Sequence, residues 1–202
     1  MELKNPGMKS DLLRYLILST KGGVYSDIDT VNLMPISQWV PERYRKATRV
    51  VIGVEFDRLD SSNWNDVHPD LQFCQWTIAA TPGNPLLNYM VQRVIATLEM
   101  LAEERQKEFS ELNFSSSNIM QLTGPAAWTD VVFWQLQRYE PDLKSLRNLS
   151  GITEPKLVGD ILILPIDGFG MGQPHSNSTA NGSIPENALV QHKFRGSWRH
   201  EN

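Results

Sequence analysis

Two aspartates one residue apart, Asp27 and Asp29, are the part of this sequence best suited to chemistry. In an extended segment alternate side chains point the same way. The spacing therefore predicts two carboxylates converging on one point, with Ile28 turned toward the core. Paired oxygen ligands suit Mg2+ or Mn2+, ions that take one or two carboxylates and fill their remaining positions with phosphate oxygens and water. A dication held there stabilises the charge that grows on a leaving phosphate when a sugar–phosphate bond breaks. A unit-charge pair about 4 Å apart is worth roughly 4 kcal/mol at an effective dielectric of about 20, and each tenfold in rate requires about 1.4 kcal/mol. Asp-x-Asp alone is equally the pattern of a solvated turn, so the neighbouring residues have to decide.

The elements that must position this pair follow from local signals. Ser10 to Thr20 predicts a helix, with Ser10 as N-cap, Asp11 at the positive end of the dipole and Gly22 as the stop. Asp11 and Arg14, three residues apart, share a face of that helix. After Gly22-Gly23, Val24-Tyr25 begins a short strand whose carboxyl end carries the aspartates. Buried strands are expected over 49–55 and 73–80, and a loop between them over 57–70. Pro85 opens a helix to about Lys107, and Thr123-Gly124-Pro125 opens another to about Arg138. A strand over 160–164 closes at Pro165, a Gly/Asn/Ser-rich mobile loop covers 169–184, and a last strand over 188–194 precedes Gly196-Ser197-Trp198. Strands alternating with helices imply an α/β architecture, read as one domain over 1–202.

Composition narrows the class. Of the 202 residues 41% are hydrophobic and 21% charged, which excludes disordered and fibrous chains. The net charge is −4 and no Lys/Arg stripe occurs, so a nucleic-acid partner is not expected. An acidic protein that binds an anionic nucleotide needs local positive charge, and a divalent metal supplies it compactly. Cys74 is the single cysteine, too few for an intrachain disulfide or a thiolate metal site. No apolar run approaches the roughly 18 residues of a membrane span, so the chain as written reads as soluble. Four glycosylation sequons, at Asn113, Asn148, Asn177 and Asn181, lean toward a secretory lumen.

The run Ser10-Asp11, Arg14-Tyr15, Leu18, Gly22-Gly23-Val24-Tyr25, Asp27 and Asp29-Thr30 resembles the D-x-D sugar-binding region of glycosyltransferase family 32, in its fungal mannosyltransferase branch. Thr123-Gly124-Pro125 and His192 with Gly196-Ser197-Trp198 resemble two later segments of that family, in the same order. The resemblance implies a GT-A type nucleotide-diphospho-sugar transferase fold. It implies a retaining, metal-dependent transfer, from GDP-mannose to a glycan acceptor in N-glycan or mannan elongation. It puts Asp11 and Arg14 against the donor sugar, Tyr25 beside the nucleotide, Asp27, Asp29 and His192 on Mn2+ (or Mg2+), and Ser197 and Trp198 on the diphosphate. Family members carry a longer stretch before the D-x-D, so the fold is expected to be N-terminally truncated, with an exposed sheet edge. By the same resemblance the location is the Golgi, with membrane attachment only through an anchor that precedes this part and a possible transferase complex.

Two other readings compete. Asp27-Ile28-Asp29-Thr30 fits the nucleophile motif of haloacid-dehalogenase phosphatases, with Asp160 and Asp167 as the distal acidic pair. Alternatively the chain is an inactive module that binds a glycan or a partner transferase, its six Trp serving as stacking surfaces.

Overall fold

The computed structural model describes residues 3–59, 70–108, 111–173 and 176–195. The first helix, α1, covers Pro6–Lys21 and starts earlier than Ser10. The reason is local. The Asn5 side chain accepts from Met8 N–H at 3.1 Å, and Pro6 takes a first-turn position where a missing N–H costs nothing. Gly22 ends the helix by donating to Leu18 O. Its φ of +65° and a would-be Cβ only 2.5 Å from Pro82 N leave room for no other residue.

The strands are β1 (Gly23–Ser26), β2 (Thr30–Asn32), β3 (Val50–Asp57), β4 (Leu71–Phe73), β5 (Thr77–Ala80), β6 (Lys156–Val158), β7 (Ile161–Leu164) and β8 (Val190–His192). A mixed sheet runs in the order β1-β5-β3-β7-β6, with β4 also on β3; only β3 and β7 are parallel. β2 and β8 form a separate two-stranded antiparallel ribbon. The α/β class is thus met. β1 is an outer strand with Gly23, Val24 and Ser26 exposed, in line with the expected open edge.

The expected single strand over 73–80 is two, β4 and β5. Cys74 N–H still donates to Gly53 O, which keeps the ladder to β3, while Gln75 and Trp76 are turned to other work. Strand β8 is shorter than the expected 188–194. The segment 169–184 is not a plain loop: it begins inside a short helix, α5 (Ile166–Gly170), and Asp167 ties it back by accepting from Thr179 N–H and Oγ, each at 2.7 Å. Of the predicted loop 57–70, residues 60–69 lie outside the described ones.

The remaining helices are α2 (Pro85–Arg105), α3 (Ser116–Leu122) and α4 (Pro125–Tyr139). Helix α3 escaped the sequence reading although Ser115 and Asn118 form a capping box. Along β7, Ile161 and Ile163 face a core built with α1, α2 and α4, while Leu162 and Leu164 face Trp39, Trp76 and Phe169. Burial on both faces explains the unbroken apolar run, at about 1.5–3 kcal/mol for each such side chain.

Candidate metal and sugar-nucleotide site

Asp27 and Asp29 do converge, but by a different route from the one their spacing suggests. Asp27 follows β1 and its N–H donates to Trp76 O at 2.9 Å. The chain then turns: Thr30 N–H and Thr30 Oγ both donate to Asp27 O, at 3.1 and 2.7 Å. Ile28 sits at the apex of this turn and is 102% exposed, so the expectation that it faces the core is wrong. A turn, rather than strand alternation, brings the two carboxylates together.

His192 completes the group. The register of the ribbon sets Thr30 opposite His192 and delivers the imidazole to the turn. Its Nε2 lies 3.3 Å from Asp29 Oδ1 and 3.9 Å from Asp27 Oδ2. One ligand atom from each residue falls within 4.8 Å of the others, a spread one cation can bridge. The donor set, two carboxylates and an imidazole, suits a divalent cation. One condition attaches to His192. Its Nδ1 accepts from Phe194 N–H at 2.9 Å, so in the neutral ring the proton sits on Nε2 and is directed at the aspartates. For Nε2 to bind a cation, that proton must move to Nδ1 and the Phe194 bond must end.

Behind the aspartates lies a buried charge system. Arg14 is 6% exposed and Asp11 7% exposed, so neither is a surface helix charge. The Arg14 guanidinium donates to Gln75 O at 3.1 Å, pairs with Asp11 at 3.1 Å and approaches Asp27 Oδ1 at 3.6 Å. It also lies over the Tyr25 ring, 4.8 Å from its centre, and Tyr25 OH donates to Asp27 Oδ1 at 2.6 Å. Burial opposes the Arg14 charge, but Asp11 and Asp27 outweigh it and hold the group protonated. Burial also opposes the Asp27 charge, yet His192, Arg14 and Tyr25 together hold it below the usual carboxylate range. Asp11 goes the other way: burial pushes it up despite Arg14 and Thr123.

The Thr-Gly-Pro segment acquires a physical meaning here. Thr123 Oγ donates to Asp11 Oδ2 at 2.7 Å, while its carbonyl accepts from Tyr15 OH and Gln75 Nε2, each at 3.0 Å. At Gly124 a Cβ would come 2.8 Å from Met120 Cα, so only glycine permits this approach, and Pro125 starts α4. Thr123→Val is expected to cost about 1–3 kcal/mol of stability, because Asp11 Oδ2 loses its buried donor. Thr123→Ser keeps the hydroxyl and should restore most of it, as urea unfolding of both variants would measure.

A cavity of about 1210 Å3 opens onto Asp11, Arg14, Tyr25, Asp27, Asp29 and His192. Six of the eight expected site residues therefore meet on one wall; Ser197 and Trp198 lie outside the described residues. Asp160 accepts from Tyr139 OH and Asp167 from Thr179, and neither lines the cavity. The acidic pair required by the phosphatase reading is thus missing from the site. Among the described residues, Trp39 and Trp128 are buried, Trp76 packs on His192 and Trp134 stacks on Tyr89.

Residues 2–46 match the family described as "Glycosyltransferase sugar-binding region containing DXD motif". These residues are similar to that sugar-binding region. The matched stretch runs from the start of the chain through α1, the Asp27–Asp29 turn and β2, so the DXD of the family is the turn described above. The chain is also 42% identical over 197 residues to the initiation-specific alpha-1,6-mannosyltransferase of Schizosaccharomyces pombe, covering 96% of this chain and 47% of that one. It is 32% identical over 212 residues to the enzyme of the same name from Candida albicans, covering 95% and 54%. The chain therefore spans about half the length of these curated relatives. A solved PaToxG Glycosyltransferase is 23% identical with a TM-score of 0.42, over 67% of this chain and 38% of that one. No helix among the described residues is long and apolar enough to cross a membrane.

Three contributors to the site gave no sequence signal of their own. Gln75 acts through its carbonyl and amide, Phe194 through its backbone N–H, and Trp76 through its ring. Only their places in the fold reveal them.

Proposed function

We propose that this chain is the carboxyl-side part of a metal-dependent, retaining hexosyltransferase of GT-A type. It transfers mannose from GDP-mannose to a glycan acceptor in N-glycan or mannan elongation, in the Golgi lumen. The observation that carries the reading is the meeting of Asp27, Asp29 and His192 on the wall of one cavity, with both aspartates inside the matched DXD region. The names of the relatives support mannose as the sugar and α-1,6 as the linkage.

Asp27 and Asp29 would hold the cation, with His192 as the third ligand after its proton shift. A bound Mn2+ would supply Lewis-acid stabilisation of the diphosphate leaving group. The chain's own residues do the rest. Arg14, fixed by Asp11 and Gln75, sets the position of Asp27 and adds a second positive charge beside the phosphates. Tyr25 orients the same carboxylate. The carboxylates lining the cavity among the described residues are Asp11, Asp27, Asp29 and Glu55. Asp11 is held by Arg14 and Thr123, and Asp27 and Asp29 would serve the cation, so none of the three is free to attack the sugar; Glu55, pushed up to about 8 by burial, is mostly uncharged at neutral pH and a poor nucleophile. That favours substitution on one face: the sugar–phosphate bond breaks, the acceptor oxygen bonds to the same carbon, and its proton passes to the departing phosphate oxygen.

Calorimetry of this chain with Mn2+ and a panel of nucleoside diphosphates tests the donor half directly. The expected result is GDP binding only when Mn2+ is present. Release of GDP from GDP-mannose, accelerated by a mannose oligosaccharide, separates a transferase from an inactive glycan-binding module. Binding that ignores the metal would refute the assignment.

A further inference from the structure

We propose that Glu55 and Gln72 together receive a hydroxyl group of the acceptor sugar. The proposal rests on the transferase reading above and concerns two side chains that line the same cavity as the aspartates.

Strands β3 and β4 are out of step at one point. Val54 pairs with Phe73, yet Phe56 pairs with Gln72, so Glu55 lies at a bulge. Bulges re-aim a side chain and are common beside active sites. Here the bulge sets a carboxyl and an amide on neighbouring strands, both lining the cavity that Asp27 and Asp29 also line. Glu55 is 8% exposed and Gln72 3% exposed. Glu55 Oε2 and Gln72 Oε1 are both buried and both lack a hydrogen-bond partner. Buried polar atoms are nearly always paired, and two orphans side by side on a cavity wall mark a place built for something that arrives later.

The chemistry of the pair fits a sugar hydroxyl. Burial pushes Glu55 up to about 8, with the hydrogen bond from Gln72 pulling weakly the other way. At neutral pH the carboxyl is therefore mostly uncharged, able to donate as well as accept. It adds little negative charge to a cavity that must take a diphosphate. A hydroxyl is likewise both donor and acceptor, so one such group can satisfy both orphaned oxygens. The other carboxylates on the wall are committed: Asp11 to Arg14 and Thr123, Asp27 to Tyr25, and Asp29 to the Arg195 N–H.

The test measures binding of a mannose oligosaccharide to the chain saturated with Mn2+ and GDP. Glu55→Ala is expected to weaken the oligosaccharide about tenfold or more, while Glu55→Gln, which still donates and accepts, stays within about threefold. The dissociation constant for GDP with Mn2+ should stay within about twofold in both. Should Glu55→Ala fail to fold, Gln72→Leu is read in its place and is expected to weaken the oligosaccharide likewise. Unchanged oligosaccharide affinity in the folded Ala or Leu variant, or an equal loss of GDP affinity, overturns the proposal. A wild-type chain that binds no GDP with Mn2+ sinks the transferase reading instead, and the oligosaccharide arm run without nucleotide still decides Glu55.

Discussion

Asp29→Ala is expected to abolish Mn2+-dependent GDP binding and to lower transfer by about a thousandfold, on the roughly 4 kcal/mol that one close charge pair contributes. The fold should survive. Asp29 sits among Asp27, His192 and the Arg195 N–H, so the substitution removes one negative charge from an acidic cluster, an exposed hydrogen bond from Arg195 N–H and the 3.3 Å contact with His192 Nε2. The backbone bond from Lys193 N–H to Asp29 O, which holds the ribbon, does not depend on the side chain. Thermal unfolding within a few degrees of wild type, together with lost calorimetric heat for Mn2+ and GDP, is the expected pair of results. His192→Ala removes the proposed third ligand and should lower metal affinity by at least the roughly 10–100-fold that loss of an outer-shell partner costs. Transfer that persists in the Asp29 variant would remove the turn from the chemistry altogether.

The second large effect concerns pH. The Glu55 carboxyl, ordinarily near 4.5, is pushed up to about 8 by burial. Between those values the folded chain holds a proton that the unfolded chain has lost. Stability is therefore greatest below the lower value and falls as pH rises through the window. At about 1.4 kcal/mol per pH unit, the loss from pH 5 to pH 8 is on the order of 3–4 kcal/mol. Glu55→Gln removes this dependence, because an amide does not titrate there. Urea unfolding of wild type and Glu55→Gln at pH 5 and pH 8 isolates the effect, since the other titrating groups are common to both. Equal slopes would mean that the carboxyl ionises freely and is solvated. A buried carboxyl that costs stability as pH rises and leaves one oxygen unpartnered is the kind of feature that function retains.

The parts of the site legible in the sequence were those built from residue type and short spacing. Asp27 and Asp29, Asp11 and Arg14, and Tyr25 all meet at the cavity, and Gly22 and the Thr-Gly-Pro segment fall where backbone constraint demands them. The direction of Ile28 was misread because period-two alternation holds only for extended backbone. Two hydrogen bonds from Thr30 to Asp27 O make a turn there instead. The break in the strand over 73–80 was invisible because Cys74, Gln75 and Trp76 are compatible with a strand. What diverts them is Arg14, a tertiary partner drawn from 61 residues away. Glu55 read as one more residue of a buried strand, since a bulge depends on the partner strand's register and leaves no local mark.

The pairing of Thr30 with His192 has a consequence for the life of the chain before it is complete. Arg195 reaches back across 166 residues to the Asp29 carboxylate, and the ribbon that brings it there forms from the last strand. Until those residues are synthesised the two aspartates lack the imidazole that closes the group. A polypeptide ending before Val190 would keep Asp27 and Asp29 but lose both the strand that pairs with β2 and His192 beside them.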